Sequence, residues 1–354
     1  GVFSSLGNLG GSRGDCRERS SRVAIVMLDD ILWPAWVWLP NNSSWADLEE
    51  RNDGFNYPTR ATFWYTLVFG VALLGIRILV ESFVFLPIGY LLGFVKGPLI
   101  TRVIVHLKGG FAGRSKFKRV AECAWRFTFY TTAWCFGLYV LWTQPQFWDV
   151  GECWRGWPAH ALDDLVWWYY MVETGFYWGL LFSTVFIDVR RKDFLEMTIH
   201  HIITIGLLWI SWCMNMIRVG SMVLFVHDSA DTMLELGKLF RYANWDRVLS
   251  VHFVFFFIAW VATRLVYYPF WLIHSVIFDG PRELQKGYRW ENLLQPPIMP
   301  RVLMALLSAL VFLHILWTVL LMKIAKKAIQ ESGVDDIRED SDDESDDGDA
   351  KKNE

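Results

Sequence analysis

The chain has 354 residues, is 53% hydrophobic and 17% aromatic, and carries 21 Trp and 26 Phe. Soluble domains hold roughly 45–50% apolar residues, and here the excess gathers in blocks of about 20, the length of a helix crossing roughly 30 Å of hydrocarbon. An ordinary water-soluble fold is thereby excluded, whereas the net charge of -3 says little, because an acidic run at 335–349 masks a basic remainder.

In chain order, residues 1–26 are rich in Gly, Ser and Arg and read as a disordered leader upstream of a natural start at Met27. The apolar run there is too short for a signal-peptide core of about 7–15 residues. A lumenal N-terminal segment is expected over 27–62, with Asn42-Ser43-Ser44 as an N-glycosylation sequon overlapped by Asn41-Asn42-Ser43. The expected class is an all-α polytopic transmembrane bundle of about seven spans, at 63–92, 125–142, 165–187, 194–214, 217–236, 248–278 and 301–322. The first contains Arg77, Glu81 and Pro87, and the sixth Arg264 and Pro269, so each is expected to kink, tilt or surface early. A sixth span broken into two crossings would move the C-terminus to the other side.

Charge in the connections sets the orientation. Residues 93–118 carry Lys96, Arg102, Lys108, Arg114, Lys116 and Lys118; the third connection has Arg190, Arg191 and Lys192, and the fifth Lys238, Arg241 and Arg247. The intervening connections are poor in cations. Lys and Arg accumulate on the cytosolic side, which predicts a lumenal N-terminus and a cytosolic C-terminus. The basic 93–118 segment then reads as a cytosolic connection beside anionic headgroups rather than a nucleic-acid surface. Residues 324–354 read as an acidic disordered tail with Ser341 and Ser345 as candidate phosphorylation sites. Its end, Lys351-Lys352-Asn353-Glu354, is similar to the dilysine signal that retains membrane proteins in the endoplasmic reticulum. The five cysteines form no CxxC pattern, and a Cys153–Cys213 bridge requires both to face the lumen.

Ionisable groups at membrane depth are costly and mark function by default. His200 and His201 lie in the fourth span, and Asp228, Asp231 and Glu235 in the fifth. At about 1.5 Å per residue, His200 and Asp231 both lie roughly 10 Å from the cytosolic side and Asp228 roughly 15 Å. Two histidines and two aspartates thus share one layer on adjacent antiparallel helices. Three chemistries compete for it: His–Asp hydrogen bonds joining the helices, a metal site, which the adjacent histidines disfavour because they point about 100° apart, and acyl transfer by an imidazole oriented by a carboxylate. Acyl transfer is favoured. His106 lies in the basic connection, His160 in an expected lumenal loop, and His252, His274 and His314 in spans without an acidic partner nearby in sequence, so all five read as packing or interfacial residues. The stripe Trp167, Trp168, Tyr169, Tyr170, Tyr177 and Trp178 reads first as anchoring or packing, and second as a lipid groove.

At Trp125-Arg-Phe-Thr-Phe-Tyr130, Trp168-Tyr-Tyr-Met-Val-Glu173, Phe176-Tyr-Trp178, Arg191-Lys-Asp-Phe194, His200-His201 and His227-Asp-Ser-Ala-Asp231, the chain resembles the ceramide synthases, TLC-domain proteins with the Lag1 motif. The resemblance implies a TLC domain of six spans over 119–323, in a multi-pass protein of the endoplasmic reticulum membrane. It implies N-acylation of a sphingoid base by a fatty acyl-CoA, with His200, or alternatively His201, taking the acyl group. His201, Asp228 and Asp231 would tune its basicity, bind the amine and remove its proton. Arg190, Arg191 and Lys192 would hold the CoA, and Tyr177 and Trp178 would line the lipid path. No metal and no cofactor beyond the acyl-CoA co-substrate are implied; the partners are the bilayer, the two substrates, and a second synthase in a homo- or heterodimer. The 94–119 stretch is too short for the homeobox-like domain of many animal members, so no nucleic-acid partner is expected. Acyl-length selection in the family is attributed to the segment corresponding to 279–299. The alternative from another class is a non-catalytic TLC-type lipid-sensing or translocation accessory protein. A metal-dependent lipid oxygenase would need more histidine boxes than the chain has.

Overall fold

Where no water reaches the backbone, every N–H and C=O must bond within its own segment, and helices follow. The computed structural model describes residues 32–41, 43–49, 54–93, 95–113 and 115–331, and the regular structure among them is helical. The leader, Asn42, Ser341, Ser345 and the terminal lysine pair lie outside the described residues. The principal helices are α1 (Arg60–Leu91), the short α2 (Leu99–Leu107), α3 (Lys116–Leu141), α4 (Asp164–Phe186), α5 (Phe194–Cys213), α6 (Ile217–Tyr242), α7 (Asp246–Leu284) and α8 (Met299–Glu331). Four of them, α1, α5, α7 and α8, are long and apolar enough to cross a membrane. The others of similar length, α3, α4 and α6, hold more charge and aromatic polarity and turn much of it inward.

Local chemistry marks the helix starts. Ser115 accepts from the Lys118 N–H at 3.1 Å and Asp163 from the Leu165 N–H at 2.8 Å, so each supplies the oxygen that a first turn lacks. Between α5 and α6 the chain reverses at Asn215, whose φ of 50° suits Asn better than most residues. Its side-chain amide donates to the Pro158 and His160 carbonyls at 2.9 and 3.0 Å, fixing the turn to the neighbouring loop. The tight reversal makes α5 and α6 antiparallel neighbours.

Helices α3 to α8 close into a ring in which α3 packs on α4 and α6, α5 on α4 and α8, and α7 on α6 and α8. Outside the ring, α1 lies against α4, and glycines allow the approach. A Cβ on Gly175 would come within 2.6 Å of Phe69 Cβ, and one on Gly70 within 3.0 Å of the Gly175 carbonyl. Nearby, the Trp178 indole N–H donates to Thr66 Oγ1 at 3.1 Å. Arg77 and Glu81 do not break α1: they pair at 2.8 Å, Lys118 reaches Glu81 at 3.1 Å, and Arg77 reaches Asp188 at 2.8 Å. Burying the charges as a network answers the cost of burying any one of them.

The expectations of a break are resolved by helix register. In α1 the turn Glu81–Phe85 widens to π geometry just before Pro87, and in α7 the whole stretch Val261–Ile273 does so around Pro269. A widened turn tolerates the missing proline N–H without ending the helix. The sixth predicted span is therefore one continuous helix. Cys153 and Cys213 are both buried and unbridged.

At one end the ring is capped. Trp33, Trp38 and Trp45 from the N-terminal segment pack with Trp209 of α5, ring centroids 4.8–6.1 Å apart. Arg60 stacks over Trp45 at 4.1 Å and pairs with Glu49 at 2.7 Å. The Trp212 indole donates to the Thr59 carbonyl at 2.8 Å, and the Ile298 N–H to the Val37 carbonyl at 2.7 Å. These bonds bind the cap to α5 and to the segment before α8.

Candidate active site

His200 and His201 sit two turns into α5 from its uncapped end, both buried, with ring centroids 5.6 Å apart and planes at 53°. His200 meets Trp317 of α8 edge to face at 5.3 Å, while His201 turns toward Tyr177 at 6.4 Å. In both imidazoles Nδ1 is enclosed without a partner, which leaves Nε2 as the nitrogen open to the cavity. The exposed nitrogen is the one that can attack or take a proton.

Two cavities meet at His200. The first, about 1160 Å³ including its mouth, opens at the uncapped end and is lined by His200, His201, Asp231 and a rim that includes Arg126, Asp188, Arg190, Arg191 and Lys238. The second, about 530 Å³, runs toward the cap and is almost wholly apolar: Leu207, Leu208, Val219, Val223, Leu224, Leu303, Leu307 and Leu310, with Tyr170, Tyr177 and His227. Tyr170, part of its lining, bonds Ser211 through its OH and donates to the Leu208 carbonyl. There Gly220 lets α6 approach, since a Cβ would stand 2.7 Å from Ser211 Oγ and 2.8 Å from Tyr170 OH. A polar cavity and an apolar one thus share the His200 imidazole as a common wall.

The two aspartates part company. Asp231 faces the first cavity and accepts from Arg264 of α7 at 2.8 Å. Asp228 is fully enclosed, lines neither cavity and abuts Glu173 of α4. Spacing of i,i+3 leaves about 60° between two side chains around a helix, and that angle separates cavity from helix interface. The basic residues also divide: Arg190 and Arg191 line the rim, Arg190 stacked on Phe194 at 4.8 Å, whereas Lys192 does not line it. Tyr177 lines the second cavity; Trp178 instead stands between α1 and α4.

Several functional neighbours escaped the sequence reading. Arg126 pairs with Asp188 at the rim, and Lys238 pairs with Glu235 at 2.6 Å. Burial alone would raise the Asp188 carboxyl, yet the Arg126 and Arg77 guanidiniums outweigh it and hold the group below the usual carboxylate range. Arg264, His314 and His227 cluster together, and Glu173 stands against Asp228. For Arg264 a signal existed, a cation in mid-span, which by default marks function. Among the described residues no three His, Cys, Asp or Glu side chains converge as a metal would require.

The TLC domain of the TRAM, LAG1 and CLN8 proteins matches residues 119–323, the six-helix ring. Ceramide synthase hyl-2 of Caenorhabditis elegans is 42% identical over 88% of this chain and 93% of its own length. Ceramide synthase hyl-1 of the same organism is 40% identical over 87% and 83%. Ceramide synthase 5 of Homo sapiens is 34% identical over 84% and 83%. With the histidine pair, the aspartates and the ring in place, this chain belongs to the TLC-domain family, among the animal ceramide synthases.

Proposed function

We propose that the protein joins a fatty acyl-CoA to a sphingoid base, giving (dihydro)ceramide, by way of a transient acyl group on His200. As a member of the ceramide synthases the chain is a sphingoid base N-acyltransferase. The observation that carries the mechanism is the place of His200 at the junction of a polar, cation-rimmed cavity and an apolar one. A thioester is the bond at which a hydrophilic CoA and a hydrophobic chain meet, so a molecule seated across the two puts its carbonyl beside that imidazole.

In the first half-reaction His200 Nε2 attacks the thioester carbonyl, the C–S bond breaks, and CoA leaves through the mouth as thiolate to be protonated in water. In the second, the neutral amine attacks the acyl-imidazole, the C–N bond to His200 breaks, and the amine proton passes to an imidazole of the pair. Arg190 and Arg191, with Arg126 and Lys238 beside them, face the CoA phosphates. Tyr177 stands along the acyl path. Lys192 retains only a general electrostatic role, and Trp178 a packing role.

The topology goes with this reading: seven crossings by α1 and α3–α8, the cap in the lumen of the endoplasmic reticulum and the mouth in the cytosol where acyl-CoA is found. Lys96, Arg102 and Lys108 around α2 agree with that orientation, since basic connections stay cytosolic. The exposed Ile100, Ile104 and Val105 suit a helix lying in the headgroup layer.

The deciding experiment is intact-protein mass after incubation with one acyl-CoA and no base, followed by addition of sphinganine. An acyl increment mapped to α5, lost on adding base with formation of dihydroceramide and absent in His200→Ala, is the expected result. Dihydroceramide formed by His200→Ala at the wild-type rate would remove the residue from the chemistry.

A further inference from the structure

Arg264 lies in the widened π stretch of α7 and is 2% exposed. One guanidinium nitrogen, Nη2, donates both to Asp231 Oδ1 at 2.8 Å and to the His227 backbone carbonyl at 2.8 Å. The other, Nη1, faces His314 Nε2 at 3.2 Å. A guanidinium has no lone pair to offer, so that Nε2 accepts and the His314 proton sits on Nδ1. His227 in turn has Nδ1 at 2.7 Å from the Val223 carbonyl, which fixes its proton there. His314 thus supports the cation through a ring nitrogen and His227 through its backbone carbonyl, and Trp260 covers its face at 5.2 Å. Every partner holds the guanidinium in one pose.

Asp231 is the only member of this group left partly open, its side chain 19% exposed and lining the first cavity, with Oδ1 held by Arg264 and no partner for Oδ2 among the described residues. We propose that Arg264 is a positioning residue that fixes Asp231 as a carboxylate with its free oxygen turned to the cavity, where it receives the ammonium group of the amine substrate. This rests on the acyltransferase reading above and adds the division of labour between the aspartates. Asp228, enclosed against Glu173 with no ion-pair partner, lacks both the counter-cation and the opening. The ammonium site lies in the same cavity as the histidine pair, so once the ammonium gives a proton to the His201 imidazole the free amine is already beside the acyl carrier on His200.

The test is steady-state kinetics of the full chain in nanodiscs with palmitoyl-CoA and sphinganine. Arg264→Gln and Asp231→Asn are each expected to raise KM for sphinganine by about tenfold or more, well beyond any change in KM for palmitoyl-CoA. Arg264→Lys, which keeps the charge but not the fork, recovers part of the loss. In the Asp231→Asn background, Arg264→Gln has little further effect, because the residue acts through that carboxylate. Equal rises in both KM values, or a full second loss in the double variant, would overturn the proposal. Should Arg264→Gln fail to fold, Arg264→Lys and Asp231→Asn decide it by the same split between substrates. If wild-type protein makes no dihydroceramide at all, the acyltransferase reading itself fails, whatever Arg264 does.

Discussion

Arg77, on the helix outside the ring, donates to Asp188 at the cavity rim at 2.8 Å, and Arg126 holds the same carboxylate from inside the ring. The peripheral helix is therefore fastened to the mouth of the site. Removing one member of a buried charge group leaves the others uncompensated, at a cost of about 3–5 kcal/mol. Arg77→Ala is expected to lower the melting temperature and to loosen acyl-CoA binding together, measured by thermal unfolding and KM on one preparation. Asp188→Asn combined with Arg77→Ala restores part of the stability; a double variant as unstable as the sum of both singles would mean that they act independently.

The apolar lining of the second cavity predicts an acyl-length effect. Val219 lines it together with the bonded pair Tyr170 and Ser211. Each buried methylene contributes about 0.8 kcal/mol, so a residue that displaces two of them costs roughly tenfold in kcat/KM for the longest chain accepted. Val219→Phe shifts preference to shorter acyl-CoAs and Val219→Ala to longer ones, read from competition among chain lengths. An unchanged profile in both variants would place the acyl tail elsewhere.

Trp178 separates packing from catalysis. With its N–H bonded to Thr66 and its ring between α1 and α4, Trp178→Phe keeps the bulk and loses one hydrogen bond, worth about 1 kcal/mol. A small drop in melting temperature with unchanged KM for both substrates is expected. A selective rise in either KM would return the residue to the substrate path.

His160, in the loop before α4, supplies a pH response. Burial first, then the nearby Arg218, lowers its pKa to about 4 from an ordinary value near 6.5. The unfolded chain binds a proton there below pH ~6.5 and the native protein does not. Stability is therefore complete above that point, falls as the pH drops toward about 4, and changes no further below it on this account. His160→Gln, which keeps a donor for the Arg155 carbonyl, is expected to flatten that slope in thermal unfolding between these limits. An identical slope in the variant would assign it to other groups.

Much of this was legible in the sequence because the membrane penalises error so heavily. Apolar blocks became helices, and the layer of His200, His201 and Asp231 was found by counting depth along antiparallel spans. The counting treated Asp228 and Asp231 as equivalent, since i,i+3 neighbours share a face; it could not tell that Glu173 stands beside one and Arg264 beside the other. Arg264 itself lies in π register, where the 3.6-residue periodicity no longer says which way a side chain points. Arg126 and Asp188 are 62 positions apart, and only the ring's closure brings them together. Trp178 looked like a neighbour of Tyr177 in purpose, yet adjacent helical residues diverge by about 100° and serve different surfaces.

The tryptophan cap with Arg60 at its centre has a consequence for the compartments on either side. With indoles stacked across one end of the ring, both substrates of the proposed reaction are expected to approach from the opposite end, where the cations gather.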